Sequence, residues 1–244
     1  MSSPPNHIEA DIAKHNTKAN KWWSPESLLV KMTPIRVQFV CDAVKKGNEP
    51  KNSSLLKEFK LLDAGCGGGL MSEALAALGA DVTGVDVSDV LLKVAKEHAQ
   101  GQSELQNNMP KYVLSSIEEF AENSTEKYDI VVASEIVEHV NNHETLLKAC
   151  CQLLRPGGSL IVTTPFKTWK SWWYSIVWME QILGVITPGT HDYKLYCSPE
   201  DLTKILHKYN CSTKEVRPYG YTHSKKIWEW GNEVWYALHA QKDV

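Results

Sequence analysis

The ten residues LLDAGCGGGL, 61–70, constrain this chain more than any others. An apolar run of strand character carries the backbone into Gly65, Gly67, Gly68 and Gly69, and an amphipathic helix, LMSEALAALG, begins at once. Glycine permits positive φ and lets another molecule come close to the backbone. Four glycines in five residues carry a large conformational-entropy cost, so the turn is not idle. The free N–H groups of the helix N-terminus point at the same spot. The next strand, DVTGVDV, ends in Asp86, twenty-one residues past Gly65.

The rest of the chain extends this unit. SDVLLKVAKEHAQ reads as a helix capped by Ser88, KYVLSSI (111–117) and YDIVVASE (128–135) as strands, and NHETLLKACCQLL as a helix stopped by RPGG. SLIVTTP (159–165) is a further strand, and SPEDLTKILHKYN a helix with Ser198 as N-cap and Pro199 at its first position. STKEVRPYGY and EVWYALHAQK close the chain as two strands joined by a long loop. Before the alternation begins, residues 8–23 read as a polar helix ending at Trp22 and Trp23. A second helix follows over about 33–45, with Thr33 as N-cap and Pro34 at its first position. Strand–helix alternation implies an α/β fold, a parallel sheet with helices on both faces. Residues 1–54 are expected to be a helical extension and linker, and 55–244 the main domain.

Two cofactors suit a glycine turn followed by a strand that ends in an acid. A dinucleotide asks for G-x-G-x-x-G, and the sixth position here is Leu70. S-adenosylmethionine carries no phosphate. It needs a glycine bend to pass its methionine end and an acid for its two ribose hydroxyls. The chemistry favours S-adenosylmethionine over NAD, and with it a transferase over an oxidoreductase.

The strand YDIVVAS runs into EIVEHV. In open α/β sheets ligands bind outside the carboxyl ends of the strands, so Glu135, Glu138 and His139 leave the sheet at the cofactor's edge. Two carboxylates and an imidazole within five residues can hold one divalent cation, Mg²⁺ or Mn²⁺ by their oxygen content. The same residues taken singly could be a helix cap, a surface acid and a core histidine.

Charge and cysteine usage exclude other classes. A formal net charge of −3 offers no basic footprint for nucleic acid. The six cysteines form no CxxC pair and read as reduced thiols. The opening MSSPPNHIEADIAKHN has neither the apolar stretch of a secretory signal nor the arginines of a transit peptide, so an organelle address is expected outside these residues.

Taken together, LLDAGCGGGL, VTGVD, VVASEIVEHV, LRPGGSLIVTT, PGTHDY and the early KWWSP and TPIR resemble the ubiquinone-biosynthesis O-methyltransferases, from about Ile12 to Ala240. Asp63 to Gly69 reads as the D-x-G-x-G-x-G motif of class I methyltransferases. The resemblance implies their Rossmann-like fold: a seven-stranded, mostly parallel sheet with an antiparallel C-terminal strand, N-terminal helices over the cofactor and an insertion after the fifth strand. It implies cofactor-binding roles for Arg36, Asp63, Gly65, Gly67, Asp86 and Ser134. Many class I methyltransferases place an acid near the adenine after the third strand. This chain has Ser116 and Ile117 there, so backbone and apolar contacts are expected. Glu135, Glu138 and His139 match a Mg²⁺ site reported in part of the family. The implied reaction is O-methylation of a catechol carrying a polyprenyl tail, with His139 and Glu135 as the catalytic pair. His139 would serve either as general base or as metal ligand. The implied setting is the matrix side of the mitochondrial inner membrane in a eukaryote, or the cytoplasmic face of the inner membrane in a bacterium. A ubiquinone-biosynthesis assembly is an implied partner.

One block stands apart. KTWKSWWYSIVWMEQILGVI, 167–186, holds Trp169, Trp172, Trp173 and Trp178 of the chain's nine tryptophans. It lies in the expected insertion, 165–190. Its uncharged stretch is nine residues, too short to span a bilayer. Two readings stay open: a lid whose tryptophans line the substrate pocket, or a peripheral contact with a membrane surface, where indoles prefer to sit.

Overall fold

The computed structural model describes residues 6–44, 55–173, 193–222 and 224–244. The chain opens with α1 (Glu9–Thr17), a 3₁₀ turn at Ala19–Lys21, and α2 (Leu28–Val44). Then β1 (Lys60–Ala64), α3 (Leu70–Ala77), β2 (Asp81–Asp86), α4 (Asp89–Gln100) and β3 (Lys111–Leu114) alternate. α5 (Ile117–Asn123), β4 (Tyr128–Ser134), α6 (His143–Leu153) and β5 (Leu154–Pro165) continue the pattern. The short α7 (Trp169–Trp172) follows, and α8 (Pro199–Lys208), β6 (Cys211–Thr222), β7 (Ile227–Trp230) and β8 (Trp235–Lys242) complete the chain.

The strands form an eight-stranded sheet in the order β3-β2-β1-β4-β5-β8-β6-β7. β1 to β5 pair in parallel. β8 lies antiparallel between β5 and β6, and β7 is an antiparallel edge strand on β6. The extra strand relative to the expected seven is β7, inside what reads from sequence as a long loop. Its IWEW alternates, with Trp228 and Trp230 on one face. Strand order reverses between β1 and β4, where Ala64, the last residue of β1, pairs with Ala133, the last but one of β4. That switch point is where such sheets open a crevice for a ligand. It brings Gly65 next to Ser134.

Two buried layers hold the sheet. Val131, Val162 and Leu238 pack against Leu146, Leu147 and Cys150 of α6 and Leu202 and Leu206 of α8. On the other face Leu61, Ile130 and Ile161 meet Phe39 and Val40 of α2 and Met71 and Leu75 of α3. All six cysteines are buried thiols.

Several boundaries differ from the sequence reading for local reasons. The first helix ends at Thr17, and Trp22 and Trp23 leave it. The second begins at Leu28, so Pro34 lies inside it and Thr33 is no cap. Thr33 Oγ1 donates instead to the Leu29 carbonyl at 2.8 Å. An interior proline costs about 3 kcal/mol. Burial of Met32, Ile35, Phe39 and Val40 at roughly 1.5–3 kcal/mol each outweighs it. The third strand stops at Leu114, because Ser116 caps α5 by accepting from Glu119 N at 3.1 Å. β5 starts at Leu154 rather than Ser159. The register jumps from Tyr128↔Leu154 to Ile130↔Ser159, so RPGG bulges out within a strand.

Candidate functional site

The glycine turn closes on itself before it meets any ligand. Gly65, Gly67 and Gly69 take φ of 75°, 52° and 89°, conformations that side chains resist. Gly65 N and Cys66 N donate to the Val85 carbonyl at 2.8 and 3.1 Å, folding the turn over the end of β2. A cavity of about 710 Å³ opens here, lined by Gly65, Gly67, Asp86, Ser116 and Ile117 among others. The structure thus brings the expected cofactor residues together, Arg36, Asp63 and Ser134 included.

Asp86 stands at the end of β2 with its carboxylate already oriented. Oδ2 accepts from Gly67 N at 2.8 Å and Oδ1 from Ser88 N at 2.9 Å. Burial pushes this carboxyl up, and those backbone donors oppose it. A carboxylate has about four acceptor sites, so two remain for a pair of hydroxyls. Arg36, 4% exposed, donates from Nη1 to Ser134 Oγ at 2.9 Å and from Nη2 to the Leu29 carbonyl at 3.1 Å. Its Nε is buried without a partner, which suits the carboxylate of a methionine end. Asp63 does not face outward. It is 1% exposed, accepts from Ser72 Oγ at 2.6 Å, and burial raises its pKa to about 6.

The N-terminal segment roofs this crevice, as expected, and does more than cover it. Trp22 lies against Gly67 and Gly68, where a Cβ on either glycine would overlap its indole. Trp23 donates from Nε1 to the Gly68 carbonyl at 2.9 Å and stacks on His98 with ring centroids 3.5 Å apart. Asn16 of α1 accepts from Ser88 Oγ at 2.6 Å, beside Asp86. At the other end, Asn6 pairs with Asn142 and Glu118, and His7 bridges Val140. α1 therefore spans from the cofactor acid to the loop that carries His139.

On that loop His139 Nδ1 lies 3.3 Å from Asp11 Oδ2 of α1, and His15 packs edge-on against its ring. Burial pulls the imidazolium down, but the Asp11 hydrogen bond and the charges of Glu138, Asp11 and Glu135 outweigh it and raise its pKa. His15 is pushed the other way, to about 4, by burial and by the His139 charge.

Glu135 and Glu138 go elsewhere. Glu135 takes a left-handed φ of 55°, a strain of about 1–3 kcal/mol for a residue with a side chain. Thr163 and Tyr219 donate to its Oε1 at 2.8 and 3.2 Å, and Trp235 to its Oε2 at 3.1 Å. Glu138, 2% exposed, accepts from Thr164 Oγ1 at 2.8 Å, and burial raises its pKa, with Glu135 adding to it. Glu135 thus turns toward β5, β6 and β8, while His139 turns toward α1. Among the described residues no group of three His, Cys, Asp or Glu side chains is placed to hold a metal ion. Glu135, Glu138 and His139 nevertheless line the same cavity, with both carboxylates already engaged by neighbouring donors.

Of the four tryptophans singled out, Trp169 is 79%, Trp172 41% and Trp173 43% exposed. They are surface rather than pocket lining. Trp178 lies outside the described residues. Among the described residues no helix is long and apolar enough to cross a membrane. Asp11, His15, Trp228 and Trp235 also line the cavity and were not singled out from sequence; Trp22, noted there within KWWSP, lines it too. One signal was there: Asp11 and His15, like Ile8 and Ile12, stand four residues apart on a single helix face.

Comparison with known proteins supports the same picture. Residues 62–162 match the family model described as a methyltransferase domain. The human protein "Ubiquinone biosynthesis O-methyltransferase, mitochondrial" is 40% identical over 231 residues, covering 92% of this chain and 62% of its own length. The chain thus spans less than two thirds of that human relative. The "Ubiquinone biosynthesis O-methyltransferase" of Aromatoleum aromaticum is 32% identical over 242 residues, covering 96% of this chain and 97% of its own. Among solved structures, magnesium protoporphyrin IX methyltransferase from Synechocystis, with bound SAM, superposes with a TM-score of 0.62 at 18% identity over the full length of both chains. The N-methyltransferase NodS from Bradyrhizobium japonicum, in complex with S-adenosyl-L-homocysteine, gives 0.63 at 15% identity, covering 96% and 97%. At those identities the likeness concerns the fold.

Proposed function

The chain belongs to the ubiquinone biosynthesis O-methyltransferase family, and on that premise we propose that it methylates a phenolic hydroxyl of a catechol bearing a polyprenyl tail. S-adenosylmethionine, when bound, supplies a methyl group made electrophilic by its positive sulfur. Gly65 and Gly67 cradle its backbone-facing side, Asp86 takes the ribose hydroxyls, and Arg36 and Ser134 meet the methionine end. Ser116 and Ile117 border the adenine.

The observation that carries the reading is the His139 imidazole, oriented by Asp11, opening on the same cavity as the glycine turn. With Nδ1 directed at Asp11, Nε2 is the atom we assign to taking the phenolic proton. Glu135, held by Thr163, Tyr219 and Trp235, is fixed in position beside it. Holding acceptor and methyl donor in line supplies much of the rate. A divalent cation, where bound, would be held by Glu135, Glu138 and His139, which line the same cavity, and would lower the pKa of the phenolic hydroxyl. We place the reaction at a membrane surface, the inner mitochondrial membrane in a eukaryote or the inner membrane of a bacterium; the names of the mammalian relatives support a mitochondrial setting.

The test is transfer from labelled S-adenosylmethionine to a short-tailed prenyl catechol on liposomes. His139→Ala is expected to lower kcat by about 10²–10⁴-fold with cofactor affinity kept. Loss of cofactor binding in that variant would remove His139 from the role.

A further inference from the structure

The cofactor residues occupy one half of the cavity. Asp86 ends β2, and the sheet order places β1, β4 and β5 between it and β8. At about 4.8 Å per strand, roughly 19 Å separate Asp86 from the start of β8, where the cavity still continues. Its wall there is Trp235 of β8 and Trp228 of β7. Their indoles stand at 80° with centroids 5.2 Å apart, forming a corner. Tyr219 and Tyr221 back Trp228 at 5.9 and 5.7 Å. Trp235 is also the donor that fixes Glu135. The same face of β7 sends Trp230 into the core against Phe39, so the strand is anchored by one tryptophan while the other borders the cavity.

We propose that Trp228 and Trp235 form the seat for the acceptor's aromatic ring, and that Trp228 sets the preference for an aromatic acceptor with an apolar substituent. Trp235, only 3% exposed, backs the corner, and the half-buried Trp228 offers a flat ring a face to stack on, an arrangement aromatic groups favour. The seat adjoins Glu135, on the strand end next to His139's loop. It also points the substituent outward: Pro165 pairs with Trp235, and the exposed Trp169 follows four residues later, within about 14 Å of chain. An apolar tail leaving the corner thus has an aromatic surface close by.

This inference rests on the proposed reaction for its choice of probe, so binding and turnover are read separately. Protein saturated with S-adenosylhomocysteine is titrated calorimetrically with a short-tailed prenyl catechol. Trp228→Ala is expected to weaken that binding about tenfold, Trp228→Phe only about two- to threefold, with the affinity for S-adenosylhomocysteine unchanged in both. Unsubstituted catechol is expected to lose less than the prenylated one. Equal catechol affinity in wild type and both variants overturns the seat, as does a wild type that binds no catechol. If wild type binds the catechol in a Trp228-dependent way yet transfers no methyl group, the seat stands and the reaction assignment falls. Circular dichroism of each variant separates these outcomes from misfolding, and Trp228→Phe retains the aromatic packing on Tyr219.

Discussion

Asp11 Oδ2 lies 3.3 Å from His139 Nδ1, joining the first helix to the loop after β4 across 128 residues of sequence. A histidine held at one ring nitrogen presents the other in a defined direction and tautomer. On the role proposed for His139, the N-terminal helix is thereby part of the reacting site. Asp11→Ala is expected to lower kcat by about 10²-fold and to leave the affinity for S-adenosylmethionine within about twofold. Asp11→Glu is expected to recover part of the loss. A variant whose kcat holds while cofactor affinity drops would give Asp11 a purely structural part in the roof.

Trp22 and Gly68 make a second testable pair. Gly68 has no positive φ, so alanine suits its backbone, and only the Trp22 indole opposes the added methyl. Gly68→Ala is expected to raise the Kd for S-adenosylmethionine about tenfold by lifting the roof. The same change in a Trp22→Ala background is expected to cost much less, a coupling of about 1 kcal/mol or more. Additive effects in the double-mutant cycle would mean that the methyl blocks the cofactor itself.

Much of this was legible in the chain. The glycine turn and the acid 21 residues on could be placed because strand, turn and helix each leave a local pattern. Ser88 and Ser198 showed themselves as caps through their position before apolar periodicity, and both accept from the residue three positions on. What could not be read was tertiary. Nothing local in EIVEH says that Glu135 is held by Thr163, Tyr219 and Trp235, so its hydrogen-bond partners could not be read from three nearby ligand-type residues. Likewise β7 is four residues long, and its partner strand alone makes it a strand.

The Glu73–His98 contact beneath Trp23 predicts a pH response. His98 Nδ1 lies 2.9 Å from Glu73 Oε2. Burial raises the Glu73 carboxyl to about 8, Glu104 adding to it, and burial lowers His98. Near neutral pH the pair is therefore uncharged, a hydrogen bond rather than an ion pair. A carboxyl whose folded pKa is raised contributes stability that is full below its ordinary value of 4.5 and is lost as pH rises through about 8. Urea midpoints measured from pH 5 to pH 9 are expected to fall for the wild type relative to Glu73→Gln. The divergence should reach about 1–3 kcal/mol, the cost of an unsatisfied buried polar group. Parallel curves for the two proteins would mean that Glu73 ionises freely in the fold.

Trp169, Trp172 and Trp173 remain exposed directly after β5, beside Lys170. Trp169 is largely exposed and Trp172 and Trp173 partly so, and indole suits the layer between headgroups and acyl chains. Moving the exposed part of each ring into that layer is worth about 1–2 kcal/mol at roughly 25 cal/mol per Å². The double variant Trp172→Ser, Trp173→Ser is therefore expected to lower partitioning onto anionic liposomes at least tenfold, with cofactor affinity unchanged. Turnover of a prenyl catechol dispersed in detergent is expected to survive, because the tail no longer has to be drawn from a bilayer. Unchanged co-sedimentation together with lost turnover in detergent would invert the assignment and make these rings a lid over the acceptor.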